Sequence, residues 1–135
     1  MKELKVATSR RAEMLDITAE INRLIPASMD SGICQVFCAH TTAGLTVNEN
    51  ADPDVQRDIL AALERLVPWD DPAYRHGEGN SAAHLKASMM GFSQTLPVCK
   101  GRLRMGIWQG LYLCEFDGPR TRTVTVQFFK ESDLS

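Results

Sequence analysis

The stretch Thr121–Phe129, TRTVTVQFF, decides the fold class of this chain. Its side chains alternate, so that Val124 and Val126 lie on one face of an extended chain and Thr123 and Thr125 on the other. A period of two over this length predicts a β-strand with one buried face. The carboxy-terminal third of the chain is therefore predicted to belong to a sheet.

Other short apolar segments bounded by turn residues predict further strands. The segment His40-Thr41-Thr42 is predicted to join two of these strands, and Asp117-Gly118-Pro119-Arg120 is typical of a hairpin turn. The predicted strands, besides the one above, are Leu4–Ser9 at a sheet edge, Ile33–Ala39, Ala43–Asn48, Thr95–Cys99, Leu103–Gln109 and Leu111–Phe116.

Three helices interrupt the strands. The clearest start is Asp52-Pro53, where a capping side chain precedes a proline at the first helical position. The helices are predicted from Asp16 or Thr18 to about Ile25, from Pro53 to just before Pro68, and from Ser81, after the cap Asn80, to the stop at Gly91. This order of elements predicts an α+β fold with a largely antiparallel sheet.

Length and composition narrow the possible functions. The 135 residues predict one domain, 1–135, and 15 basic against 17 acidic side chains give a net charge of −2, which argues against nucleic-acid binding. We find neither an apolar run of roughly 18 residues nor a signal-peptide pattern. The expectation is a cytoplasmic protein with no membrane partner, whose four cysteines are reduced and serve mainly as small buried hydrophobes.

The three histidines stand in different elements. His40 follows a strand, His76 lies in a glycine-flanked loop, and His84 lies on the third helix. Neutral imidazoles suit zinc or a similar divalent metal, and three of them leave one coordination position open for water or substrate. The alternative is that each histidine is a hydrogen-bonded structural or surface residue.

Polar residues also gather after the strand that ends near Asn48 and Glu49. Capping and the helix dipole account for Asp52 and Asp54. Asn48 and Glu49 are the least explained, and the oxygens of this group, Asp58 included, suit cation binding or proton transfer. Asp58 has the alternative of a surface ion pair.

Basic residues form a third group. Arg102 and Arg104 are predicted on one face of a strand, and Arg120 and Arg122 follow the hairpin turn. Arginines at alternate strand positions can bind phosphate, although a solvated sheet face is the favoured explanation. Gln109, between Trp108 and Gly110, can reach a pocket. Phosphate-binding loops and nucleophile-elbow motifs are not found in the sequence.

Three long motifs resemble the YjbQ family. They are HTTAGLTVNENADPDVQRD at 40–58, YRHGEGNSAAHLKASMMG at 74–91 and GRLRMGIWQGLYLCEFDGPRTR at 101–122. The resemblance runs from about Ile17 to Phe129, and the motifs occur in the family's order. One departure is Ile107, where the family usually has threonine before Trp-Gln.

The resemblance implies a β-rich, sandwich-like α+β subunit that assembles as a homotrimer, with a pocket at or near the subunit interface. It also implies a weak secondary thiamine-phosphate synthase activity, which joins hydroxymethylpyrimidine diphosphate to a thiazole phosphate. The predicted catalytic residues are His40, Glu49, Asp58 and Glu78; the predicted substrate-binding residues are Thr41, Asn48, Asn80, Arg102, Arg104 and Gln109; the predicted metal ligands, for zinc first, are His40, His76 and His84.

Two other functions remain open at this point. A metal-dependent hydrolase would use the same histidines to activate water. A non-catalytic trimer would use the same polar residues to bind a small anionic metabolite. In each case the expected partners are further copies of this chain and a small anionic molecule.

Overall fold

Alternating apolar side chains build two antiparallel sheets in a computed structural model that describes residues 1–134. The larger sheet has the strand order β1-β8-β3-β5-β6 and the smaller one β2-β7-β4. The strands are β1 Lys2–Ala7, β2 Glu13–Asp16, β3 Gly32–Cys38, β4 Ala43–Glu49, β5 Ser93–Cys99, β6 Arg102–Leu103, β7 Gln109–Glu115 and β8 Thr121–Lys130. The helices are α1 Thr18–Leu24, α2 Pro53–Leu66 and α3 Ser81–Met90, and a 3-10 helix spans Glu131–Asp133.

The main core lies between the two sheets. Val124 and Val126 of β8 are fully buried there, as the alternation in TRTVTVQFF predicts. They pack in one cluster with Leu111 and Leu113 of β7 and with Ile21 of α1. The α+β class, the three helices and the antiparallel pairing are therefore confirmed.

Helices α2 and α3 cover the other face of the smaller sheet. Leu63 of α2 and Ala83 of α3 pack there against Tyr112 of β7. Gly44 in β4 permits this close packing, because a Cβ at this position would lie 2.6 Å from the carbonyl oxygen of Gly91. The molecule thus has three layers, which are the larger sheet, the smaller sheet and the α2–α3 pair.

The helix ends agree with those predicted from the sequence, apart from two differences. Asp52 caps α2 as predicted, and its side chain accepts a hydrogen bond from the Asp54 N–H at 2.9 Å. Asn80 precedes α3, but its side chain donates to Asp117 instead of capping the helix. Asp16 accepts from the Thr18 N–H at 2.9 Å and is itself the last residue of β2, a strand that the sequence analysis missed.

Two predictions about the strands are wrong. The segment His40-Thr41-Thr42 joins two strands as predicted, and these strands, β3 and β4, lie in different sheets. The strands on either side of Asp117–Arg120 also lie in different sheets. Both segments are therefore crossovers between sheets, and Asp117–Arg120 is not the predicted hairpin turn. The predicted strand Leu103–Gln109 is mostly a loop, because β6 ends at Leu103 and Gln109 already belongs to β7.

No helix within residues 1–134 combines the length and the apolar character that a membrane crossing requires.

Candidate functional site

The two crossovers meet at one end of the sandwich, here called the crossover end (residues 39–42 and 116–120). The Phe116 N–H donates to the Thr42 carbonyl at 3.2 Å, which ties one crossover to the other. The end of β3, the start of β4, the end of β7 and the start of β8 all converge here. Polar side chains from the ends of these strands and from the segments beside them are thereby brought together.

A buried ion pair lies at the centre of the crossover end. Glu115 is fully buried and Arg122 is 2% exposed. The Arg122 Nε donates to Glu115 Oε1 at 2.9 Å, and its Nη2 donates to Glu115 Oε2. This two-point pairing is the strong geometry for a guanidinium and a carboxylate.

Neighbouring groups form further hydrogen bonds with both members of the ion pair. Thr8 Oγ1 donates to Glu115 Oε1 at 2.8 Å, and the Asp117 N–H donates to Oε2 at 3.0 Å. Arg122 Nη2 also donates to Thr42 Oγ1 at 2.8 Å. This network of buried hydrogen bonds holds the two crossovers in one arrangement.

The same contacts set the charge state of Glu115. Burial by itself raises the pKa of this carboxyl, but hydrogen bonds from Arg122, Asp117 and Thr8 outweigh it and leave the pKa below the ordinary value. Because the folded-state pKa is depressed, the resulting stability is present above the ordinary pKa and is lost as pH falls through the folded-state value.

We therefore expect Glu115 to titrate below about pH 4.3, the ordinary value for glutamate. Carbon-13 NMR of the side-chain carboxyl, followed from about pH 6 downwards, measures the midpoint directly. The free energy of unfolding should decline over the same acidic range. A midpoint at or above the ordinary value would contradict the pairing described here.

His40 is fixed within the crossover end. Its Nε2 accepts a hydrogen bond from the Thr123 N–H at 3.0 Å. Burial, together with the nearby positive charge of Arg122, lowers the pKa of this imidazole. His40 is therefore neutral at pH 7 with its proton on Nδ1, and its Nε2 lone pair is already used.

The other two histidines meet in a separate open pocket. The rings of His76 and His84 lie edge to face, with centroids 5.3 Å apart and planes at 89°. The pocket has a volume of about 500 Å³, and its lining also includes Tyr74, Arg75 and Ser81. The loop before α3 supplies His76, and the first turn of α3 supplies His84.

Asn80 connects the histidine pocket to the crossover end. Its Nδ2 donates to Asp117 Oδ2 at 2.9 Å, and Arg120 Nη2 donates to the same oxygen at 3.1 Å. The Asn80 Oδ1 is buried and has no hydrogen-bond partner among residues 1–134. This oxygen can accept a hydrogen bond from a ligand, a water molecule or another subunit.

Three of the predicted site residues lie at the opposite end of the sandwich. Glu49 pairs with Gln109, and Asn48 pairs with Gly110, where β4 ends and β7 begins. Ala43, the first residue of β4, lies six residues from Glu49, a separation of about 20 Å along a strand. Asn48, Glu49 and Gln109 are therefore far from His40 within one subunit.

Arg102 and Arg104 also lie away from the crossover end. Leu103 pairs with Val98, which pairs with Gly32 at the start of β3. The start of β3 is the end of that strand remote from His40. Arg104 follows the strand, so the prediction that both arginines share one strand face is wrong.

The remaining predicted residues are exposed. Thr41 lies on the first crossover, Asp58 on α2 and Glu78 in the loop between His76 and Asn80. The Gly79 N–H donates to the His76 carbonyl at 3.1 Å, which places Glu78 within a tight turn beside that histidine. Thr41 is thus next to His40, and Glu78 is close to His76. Asp58 lies on α2, whereas His84 lies on α3.

The three histidines do not form one ligand set within a subunit. Residues 1–134 contain no group of three or more histidine, cysteine, aspartate or glutamate side chains placed to hold a metal ion. His76 and His84 come together, but His40 is committed to Thr123. A three-histidine centre stays a prediction whose third ligand would have to come from elsewhere.

The cysteines are free thiols. Burial raises the pKa of Cys34 and of Cys114 to about 12, so neither forms a thiolate near neutral pH. Cys38 is also buried, and its Sγ contacts the Ala43 carbonyl at 3.5 Å. These three thiols are packing residues, as the sequence predicted.

Comparison with known proteins agrees with this fold over nearly the whole chain. The model of the family described as "UPF0047 protein YjbQ-like" matches residues 2–131. The chain belongs to the YjbQ/UPF0047 family. The UPF0047 protein YugU of Bacillus subtilis is 49% identical over 128 residues, which cover 94% of this chain and 97% of that protein.

Solved structures of YjbQ/UPF0047 proteins have the same architecture. A family member from Clostridium acetobutylicum is 48% identical with a TM-score of 0.92, and the match covers 96% of this chain and 100% of the other. A YbjQ-like protein of unknown function from Sulfolobus solfataricus is 33% identical with a TM-score of 0.90, covering 96% of each chain. These comparisons give the family and the fold, and they do not extend to an activity.

Sequence reasoning missed Glu115 and the role of Arg122. Glu115 interrupts the apolar run Leu111–Phe116, and a carboxylate inside such a run must be paired if it is buried. That signal predicts a buried cation nearby. The sequence suggests phosphate binding or a solvated sheet face for Arg122, but its guanidinium is buried and bound to Glu115 and Thr42.

Proposed function

We propose that this protein is a small-molecule enzyme acting on a phosphorylated substrate, with its reacting centre in the histidine pocket. The observation that carries the proposal is the meeting of His76 and His84 in an open pocket that Arg75 also lines. Imidazoles transfer protons near neutral pH or bind metals, and a guanidinium binds phosphate oxygens.

The separation of the two histidines fits a shared divalent ion. One ring nitrogen from each of His76 and His84 would hold the ion, because the two rings are neighbours with centroids 5.3 Å apart. A bound zinc would polarise a phosphoryl oxygen or lower the pKa of a water molecule. Zinc remains the first candidate because both donors are imidazoles.

We also propose that the working form is a homotrimer, in which the histidine pocket of one subunit faces the Glu49 end of the next. Exposed apolar side chains lie beside both halves of the predicted site. Leu85 and Met89 of α3 are 47% and 55% exposed, and Ile107 and Trp108 next to Gln109 are 87% and 61% exposed. Apolar side chains exposed in this way mark contact surfaces, and contact between two different surfaces forms a closed ring when the rotation between neighbours closes after three subunits.

Such a ring would unite residues that one subunit keeps apart. Glu49, Asn48 and Gln109 would approach His76 and His84 of a neighbour, together with the exposed Arg102 and Arg104. Sedimentation should then give a mass of about 45 kDa, three times the 15.0 kDa chain. A monomer of unchanged activity would contradict this assembly.

Of the possible reactions, we favour the thiamine-phosphate synthase type. The thiazole nitrogen would form a bond to the methylene carbon of the pyrimidine as the carbon–oxygen bond to diphosphate breaks. The departing diphosphate needs positive charge. Arg75 in the pocket and Arg102 and Arg104 from a neighbour are exposed cations that can supply it, whereas Arg122 is buried and bound to Glu115.

Metal-dependent hydrolysis of a phosphate ester is the second candidate, and the His76–His84 pair is the observation that favours it. The same pocket would then hold water in place of the thiazole. Turnover of the two thiamine precursors supports the first reaction, and turnover of simple phosphate esters supports the second. Tight binding of these molecules without turnover would make the protein a binding module instead.

Removing either pocket histidine should abolish metal binding. We expect untagged wild-type protein to carry about one zinc per subunit after purification, and His84→Ala to carry less than a tenth of that amount. Elemental analysis of both proteins measures the difference. Ser88→Ala, an exposed position one turn further along α3, is the matched control and should keep its metal. Equal metal contents in wild type and His84→Ala, or none in either, would remove the metal from the proposal.

A further inference from the structure

A second, smaller cavity opens on a different face of α3 from the histidines. It has a volume of about 250 Å³ and lies between α2, α3 and the loop after α2. Leu60, Leu63 and Phe116 form its apolar wall. This volume is just below the roughly 300 Å³ at which ordinary ligand pockets begin, so it suits a small molecule.

Lys86 contributes a buried positive charge to this cavity. The residue is 5% exposed, and its Nζ lies 3.4 and 3.3 Å from the two carboxylate oxygens of Glu64. Charge-assisted hydrogen bonds are usually about 2.7–2.9 Å long, so this pairing is loose. An ammonium has three N–H donors, and Glu64 is its only acceptor within residues 1–134. Lys86 can therefore bind a second acceptor.

The rim of the cavity is an arginine stacked on a tryptophan. The guanidinium carbon of Arg11 lies 4.2 Å from the centre of the Trp69 ring. Backbone hydrogen bonds hold both residues, because Gly118 N–H donates to the Arg11 carbonyl at 3.0 Å and Trp69 N–H donates to Glu64 Oε1 at 3.0 Å. The opening is thus formed in advance by a cation and a flat aromatic surface.

Charge and shape together define what the cavity can bind. Lys86 and Arg11 carry two positive charges against the single negative charge of Glu64, which leaves one positive charge in a largely apolar space. The matching ligand is a monoanion with a flat apolar body. We propose that this cavity is a binding site for a small planar carboxylate, with the carboxylate at Lys86 and Arg11 and the apolar body against Leu60, Leu63 and Phe116.

Benzoate is the probe for this site, and benzamide is its uncharged counterpart of nearly the same shape. In a Trp108→Phe background Trp69 is the only tryptophan, so its fluorescence reports on the rim. We expect benzoate to change this fluorescence with a Kd on the order of 1 mM, and benzamide to bind about tenfold more weakly. Equal effects of the two molecules, or none from benzoate, would overturn the proposal.

Two variants test the residues separately. Lys86→Met and Arg11→Met should each weaken benzoate binding by about tenfold. Arg65→Met, at an exposed position of α2 outside the cavity, is the matched control and should bind as before. Because Arg11 is exposed, its variant keeps the test valid even if Lys86→Met does not fold.

Inorganic phosphate separates a planar-carboxylate site from a simple anion site. Phosphate should leave the benzoate titration unchanged at equal ionic strength. If phosphate displaced benzoate with an affinity as high as that of benzoate, the apolar contacts would contribute nothing to binding. That result would overturn the apolar half of the proposal. Unaltered benzoate affinity in both Lys86→Met and Arg11→Met would overturn the charged half.

Discussion

Replacing Arg122 by methionine should lower the free energy of unfolding by about 3–5 kcal/mol, the usual cost of removing one partner of a buried ion pair. The substitution leaves the Glu115 carboxylate fully buried among strands β7 and β8 without its guanidinium. It also removes a donor to Thr42, which joins the β7–β8 crossover to the β3–β4 crossover. Urea unfolding followed by far-ultraviolet circular dichroism measures the loss.

The exposed pair at the same end of the molecule provides the control. Arg120 is bound to Asp117 at 3.1 Å, but its side chain is 50% exposed. Arg120→Met should therefore change the free energy of unfolding by less than about 1 kcal/mol. A loss equal to that of Arg122→Met would show that burial of the pair is not the cause.

A double variant distinguishes the pair from the packing of either residue. In Arg122→Met/Glu115→Gln no buried charge is left unpaired, so part of the stability lost in Arg122→Met should return. A recovery of about 1 kcal/mol or more indicates that the unpaired carboxylate is the main cause of the loss. A purely additive double variant would contradict this explanation.

Strands and helices were predictable from the sequence because their signals are local. The alternation in β8 and the Asp52-Pro53 start of α2 are patterns of neighbouring residues, and both hold in the structure. The partner of a strand is not a local property. A short turn such as Asp117–Arg120 is compatible with a hairpin and with a crossover, and the core between the sheets selects the crossover.

The candidate site depends even more on contacts between residues that are distant in the sequence. The sequence singled out His76 and His84, which do meet. It could not show that His40 uses its Nε2 for the Thr123 N–H, since that contact joins positions 83 residues apart. Nor could it show that Glu49 and Gln109 pair at the end of the sandwich remote from His40. Both facts depend on which strands share a sheet.

Mixing two inactive variants should restore activity if the site is shared between subunits. His84→Ala removes one half of the proposed site, and Glu49→Ala removes the other half, at the last residue of β4 and about 20 Å along that strand from its first residue, Ala43. We expect each variant alone to lose at least about a hundredfold in turnover of the thiamine precursors, because each removes a group proposed to act on the substrate. Both proteins should still assemble as trimers.

Co-expression with two different affinity tags isolates trimers that contain both variants. In a ring where each site takes its histidines from one subunit and Glu49 from the next, a mixed trimer has one intact site of three. Its activity should therefore be about one third of the wild-type value. If each site lay within one subunit, every site in the mixed trimer would lack either His84 or Glu49, and activity would stay at the level of the single variants. Wild-type turnover in either variant alone would remove that residue from the reaction.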